Sequence, residues 1–170
     1  RVDYQGAQIL ASMEEKATPH DYQGTQILAS MVEKAIHPRR NTVLAYISPA
    51  GDGTNFEPYP IHAFVDSGYS GNCAVSSKLL KRLKIEGDIE ECGVSLKSAN
   101  QKKIEVQGQL NLNLQIHDDV SATSQTFVVL PDIQWDAVLG RDYLQSIGAT
   151  INCKTNMLEL PAPKGGEARV

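Results

Sequence analysis

Several large classes of protein are excluded by what this chain has little of. Its three cysteines, Cys73, Cys92 and Cys153, are odd in number and widely spaced, and they form neither a disulfide framework nor a zinc site. There is no Cys-x-x-Cys, and His20, His37, His62 and His117 are scattered. Each cysteine therefore reads as a small buried hydrophobe rather than a nucleophile. No apolar run approaches the ~20 residues that span a bilayer. The opening residues show no charged-then-apolar leader pattern, so the expected compartment is the reducing cytoplasm. Cations are in deficit, with 16 Lys and Arg against 20 Asp and Glu and a net charge of −4, which argues against the basic face of a nucleic-acid binder. The short groups Arg39-Arg40 and Lys81, Arg82, Lys84 read as solvated faces. Glycine-rich phosphate loops, Ser-His-Asp ordering and metal-ligand spacing are all missing.

What is present suffices for a core: 41% of the 170 residues are hydrophobic, enough for one ordinary domain with an appendage and no need of disulfides or metal. The appendage is a tandem repeat. Asp3-Tyr4-Gln5-Gly6-Ala7-Gln8-Ile9-Leu10-Ala11-Ser12-Met13 returns as Asp21-Tyr22-Gln23-Gly24-Thr25-Gln26-Ile27-Leu28-Ala29-Ser30-Met31, and both copies continue with Glu-Lys-Ala. Ile9, Leu10 and Met13, like Ile27, Leu28 and Met31, have the spacing of one helical stripe. Pro19 and Pro38 stop the copies. Residues 1–38 are thus expected to be an arm, helical or partly disordered, that binds a partner or is itself a peptide cut by the domain that follows. Residues 162–170 carry Pro, Gly and charge and read as a flexible tail.

Between them, over residues 39–161, the pattern changes to period two. Residues 43–47 and 61–65 read as strands. Val106, Gly108, Leu110, Leu112, Leu114 and Ile116 alternate with polar residues in a half-buried strand. Residues 127–130 form another, halted by Pro131, and residues 150–160 read as a closing hairpin. Only two helices are predicted, Ser77–Leu83 and 141–147, the second ended by Gly148. Many short strands with few helices predict an all-β, barrel-like domain.

Chemistry concentrates where an apolar strand runs into a carboxylate, a hydroxyl and a glycine, at Phe64-Val65-Asp66-Ser67-Gly68. Amide hydrolysis by direct attack of water needs one carboxylate to take a proton and one carboxylic acid to polarise the carbonyl. Two such groups about 3 Å apart share a proton because both cannot ionise. This chain carries the motif once. Asp118, Asp119, Asp136 and Asp142 lack a strand–glycine context, so a second carboxylate has to come from a second copy. Asp132 and Asp136 flank Trp135 and read as surface carboxylates, with the indole as a packing anchor.

A second motif, Val138-Leu139-Gly140-Arg141-Asp142-Tyr143-Leu144, is an apolar run that ends in glycine and opens a helix. With Asp66-Ser67-Gly68, the run Ser70-Gly71-Asn72, the helix after it and the closing hairpin, it makes residues 42–160 resemble the retropepsins, the aspartic proteases of retroviruses and long-terminal-repeat retrotransposons. The resemblance implies an acid-protease barrel with one lobe per chain, active as a two-fold homodimer. It implies that Asp66 supplies one catalytic carboxylate per subunit, that Ser67 ties the two active-site loops across the dimer, and that the Gly68 backbone meets the substrate. Val138, Leu139 and Gly140 would pack under the catalytic loop, with Val138 also among the substrate contacts, and Arg141 would support the dimer or loop. Ser98, Ala99, Asn100, Gln101 and Lys102 would form the flap over the cleft. Tyr69 stands where the family has a small residue and is expected to narrow a subsite. Arg141 matches an arginine that pairs with an acid missing from residues 70–72. The implied substrate is an extended peptide or a Gag-Pol-like polyprotein, with no metal, other cofactor, nucleic acid or membrane involved. The setting would be cytoplasmic or within virus-like particles. The alternative is a non-catalytic dimerisation or peptide-binding module of a transposon-derived protein.

Overall fold

The computed structural model describes residues 25–28, 41–51, 56–116, 121–155 and 157–161. Among these the chain forms, in order, β1 (Thr25–Leu28), β2 (Thr42–Pro49), β3 (Tyr59–Val65), β4 (Cys73–Ser76), α1 (Ser77–Leu83), a 3-10 turn (Glu86–Asp88), β5 (Ser95–Ser98), β6 (Lys103–Ile104), β7 (Gly108–Ile116), β8 (Thr123–Leu130), β9 (Ala137–Leu139), α2 (Arg141–Ser146), β10 (Thr150–Asn152) and β11 (Met157–Glu159). Six strands close into a barrel in the order β2-β3-β9-β4-β8-β7, with β7 returning to pair with β2. The all-β expectation holds, and the two short helices fall where predicted, α2 ending one residue earlier.

Two kinds of strand build the barrel. In β7 the leucines at 110, 112 and 114 are buried while the asparagines and glutamines between them are half-buried or exposed, so one face is wet. By contrast β4, β9 and the second half of β8 are buried at every position. Their alternate side chains enter two different cores. Ala63, Cys73, Val75, Phe127, Val129, Ala137 and Leu139 join the first cluster, with Leu79, Leu80, Tyr143 and Leu144 from the helices. Phe64, Ala74, Val128, Leu130 and Val138 join the second, which Leu96 and Ile104 of the β5–β6 hairpin cover together with Trp135. Burial on both faces is why these strands read as continuous apolar runs. The same runs carry the parallel pairs β3–β9 and β4–β8.

Local chemistry fixes the ends of α1. The Ser76 hydroxyl accepts the Lys78 N–H, and Lys84 closes the helix in the left-handed region at φ 57°. Arg82 on the same helix meets Asp136 at 2.6 Å, an exposed pair worth well under about 1 kcal/mol.

Two expectations need correction. Thr25–Leu28, inside the second repeat, form a strand where the spacing predicted a helix, because they pair in parallel with β5. The first repeat, the rest of the second and residues 162–170 lie outside the described residues. Cys73 is buried as expected, and burial raises its thiol pKa far above the ordinary value, which keeps it protonated. Cys153 is exposed, since it follows the short hairpin strand β10 at the surface.

Gly108, which opens β7, sits at φ +146°, and a methyl group there would lie 2.3 Å from the Glu90 carbonyl oxygen. Gly108→Ala should therefore destabilise the domain by about 1–3 kcal/mol. Gly87→Ala, with nothing within 4 Å of the added carbon, should stay within about 0.5 kcal/mol. Urea unfolding midpoints of the two variants check this.

Candidate active site

Asp66 follows directly on β3, and the ladder to β9 holds it. Its N–H donates to the Leu139 carbonyl at 3.0 Å, one step beyond the Val65–Leu139 register. Its carbonyl accepts the Tyr69 N–H at 3.1 Å, closing a tight turn. Within that turn the Gly68 N–H donates to the carboxylate Oδ1 at 3.0 Å. The carboxylate is thus oriented by its own loop, and the residue is only 2% exposed. Ser67 beside it is exposed.

The loop continues into an arrangement with α2 that the sequence hints at only through a glycine. A helix begins with N–H groups that have no partner inside it. Here the Gly140 N–H donates to Asn72 O at 2.7 Å, Arg141 N–H to Tyr69 O at 2.7 Å and Asp142 N–H to Gly71 O at 3.2 Å. The carbonyls of Tyr69, Gly71 and Asn72 therefore cap α2. So close an approach leaves no room for a side chain at 140: a Cβ there would lie 2.1 Å from Gly71 O and 2.5 Å from Tyr69 Cδ1. Asn72 ties the far end of the loop to β8, its Nδ2 donating to Gln125 Oε1 at 3.0 Å and to Thr126 O at 3.3 Å. Sequence reading assigned Asn72 no such task, because its partners lie across a parallel strand pair.

Tyr69 corrects an expectation. Rather than facing a cleft, its side chain has no exposed surface and belongs to the second core with Phe64, Trp135 and Val138. Burial drives its phenol pKa upward, so it stays neutral. Val138 is likewise fully buried, in that same core, so it offers no surface to a peptide from the single chain. Trp135 does act as a packing anchor, its ring stacked on Phe64 with centroids 4.1 Å apart. Leu139 faces the first core.

The expected flap, residues 98–102, is a turn between β5 and β6. Ser98 N–H donates to Lys102 O and Gln101 N–H to Ser98 O, both at 2.9 Å. The Ser98 hydroxyl reaches Asn100 Oδ1 and Lys102 O, and Asn100 Oδ1 also accepts the Lys102 N–H. Gln101 takes the left-handed conformation at φ 64°, a conformation more usual for glycine. Side-chain bonds here stiffen a turn that has no glycine, with Ala99 half-buried and Asn100 and Gln101 exposed at its tip.

Among the described residues no group of three His, Cys, Asp or Glu side chains could hold a metal ion, and no helix is long and apolar enough to cross a membrane.

A family model described as "gag-polyprotein putative aspartyl protease" matches residues 54–146, more than half of the chain. Among solved structures, the chain is similar to the retroviral protease-like domain of Ddi1 from Leishmania major, at 18% identity and a TM-score of 0.48, over 70% of this chain and 89% of that one. No curated protein matches.

Two substitutions test this geometry. Tyr69→Ala should cost about 3–5 kcal/mol in unfolding free energy, as for a core aromatic, whereas loss of a subsite wall would leave stability unchanged. Gly140→Ala should cost about 1–3 kcal/mol by overpacking and shift the backbone resonances of residues 69–72.

Proposed function

Because the chain belongs to the gag-polyprotein aspartyl protease family, we propose that it is an aspartic endopeptidase whose dyad is made by Asp66 from two subunits. The observation that carries this reading is the placement of Asp66: buried at a strand end, gripped by Leu139 and Gly68, with an exposed hydroxyl next to it. A carboxylate fixed in that way is ready for its role before substrate arrives. The described residues bring no second acid loop of this kind beside it, so the twin carboxylate comes from a two-fold related copy. Ser67 is the residue positioned to reach across to that copy.

In this reading one Asp66 is ionised and takes a proton from water, while the other is protonated and polarises the scissile carbonyl. The roles exchange as the leaving amine is protonated. The substrate lies extended beneath residues 98–102 of both subunits and joins them by strand addition. A Gag-Pol-like polyprotein is the proposed substrate. The alternative of a non-catalytic dimerisation or peptide-binding module is favoured by the N-terminal repeat and by a Tyr69 that narrows the cleft. A tyrosine turned wholly into the core removes the second of these supports, and the intact Asp66-Ser67-Gly68 disfavours the alternative.

Asp66→Asn should abolish peptide cleavage while leaving the circular dichroism spectrum and unfolding midpoint in place. Activity against pH should be bell-shaped, its two limbs belonging to the pair of carboxyls rather than to either alone. Cleavage per mole of chain should fall on dilution as dimers dissociate; a constant value across that range, checked by sedimentation, would contradict the shared dyad.

A further inference from the structure

The repeated arm and the hairpin that carries residues 98–102 meet in the structure. β1, from the second repeat, runs parallel to β5 with Thr25 opposite Ser95, Gln26 opposite Leu96, Ile27 opposite Lys97 and Leu28 opposite Ser98. β5 is the middle strand of the three-stranded order β1-β5-β6, and its other edge is taken by β6. Without β1 the outer edge of β5 is a bare row of backbone donors and acceptors, the kind of edge that recruits an extended segment. Ser98 ends β5 and also begins the turn, through its hydroxyl and its bond to Lys102. A segment seated along β5 therefore bears on the turn through the backbone. The sequence seated there, Gln26-Ile27-Leu28, also occurs in the first repeat as Gln8-Ile9-Leu10.

We infer that the outer edge of β5 is a peptide-docking site whose resident ligand is the arm's own Gln-Ile-Leu segment, and that the seated segment restrains the 98–102 turn. The restraint on the turn matters for activity only if these residues are the flap of a peptidase, so that part rests on the function proposed above. The docking itself does not. A tethered segment competes at an effective concentration in the millimolar range, so an extended peptide that needs this edge must first displace the arm. The duplication supplies two segments of the same sequence for one edge.

Amide hydrogen exchange on the full chain tests this. Every other residue of a parallel strand donates to a given neighbour, so replacing both Gln26→Pro and Ile27→Pro removes a donor whichever one faces β5. The variant should show about tenfold faster exchange at Ser95 and Lys97, which alternate with the Ser98 N–H that donates to Lys102, and faster exchange at Gln101, with the amides of β7 and β8 unchanged. A synthetic peptide of residues 21–31 should restore the protection, and one of residues 3–13 should do the same. Unchanged exchange at Ser95 and Lys97 would overturn the proposal, as would a peptide that restores nothing. Loss of protection throughout β7 and β8 would also overturn it, by making the arm part of the barrel's stability. A chain that cleaves no peptide would count against the endopeptidase reading and leave this result standing, because exchange reads the edge directly.

Discussion

The three amide groups that open α2 have nowhere to go but the carbonyls of the acid-bearing loop, and the geometry of the site follows from that. Gly140, Arg141 and Asp142 donate to Asn72, Tyr69 and Gly71. A backbone donor left unpaired and away from water costs about 1–3 kcal/mol. The bonds form only because residue 140 has no side chain, and they form beside Tyr69, whose ring fills the space next to that glycine. Loop and helix thus hold each other. Asp66 gains its position as a consequence, since the strand that leads into α2 is also the one whose Leu139 carbonyl accepts the Asp66 N–H.

Strand order explains how two motifs far apart in sequence come together. β9 lies between β3 and β4, parallel to the first and antiparallel to the second. The end of β3 and the start of β4 are joined by the loop that bears Asp66, so the end of β9 has to arrive inside that loop. β4 and β9 are buried at every position, and the end of β3 enters both cores through Ala63 and Phe64; this sandwiching makes the site a rigid part of the barrel rather than a surface excursion. Rigidity matters for a dyad, because two carboxyls share a proton only if they are held close together.

Much of this was legible in the residues. The alternation of Leu110, Leu112 and Leu114 with polar neighbours announced a half-wet strand, and Leu79, Leu80, Leu83 and Gly148 marked the helices because stripes and stops are local signals. Asp66-Ser67-Gly68 and Leu139-Gly140 stood out as strand ends meeting glycine. Long-range packing was not legible. The resemblance placed Tyr69 in the cleft, at a position the family fills with a small residue, but the core it joins is built by Phe64, Trp135, Val138 and the β5–β6 hairpin, none of them adjacent in the chain. Thr25–Leu28 looked helical because Ile27, Leu28 and Met31 have helical spacing; pairing with β5 overrode a weak local preference. Asn72 counted only as part of the run Ser70-Gly71-Asn72; its tie to β8 gave no signal, its partners Gln125 and Thr126 being brought near only by the β4–β8 pair.

On the proposed account, function is divided equally between two chains, each giving one acid. Mixing subunits measures that division most directly. Wild-type chain is combined with increasing amounts of Asp66→Asn chain under conditions that let dimers exchange, and cleavage is followed at constant total protein. A shared dyad predicts that activity falls as the square of the wild-type fraction, to about a quarter in an equal mixture. A fall in simple proportion, to about a half in the same mixture, would show that each chain works alone and would contradict the account.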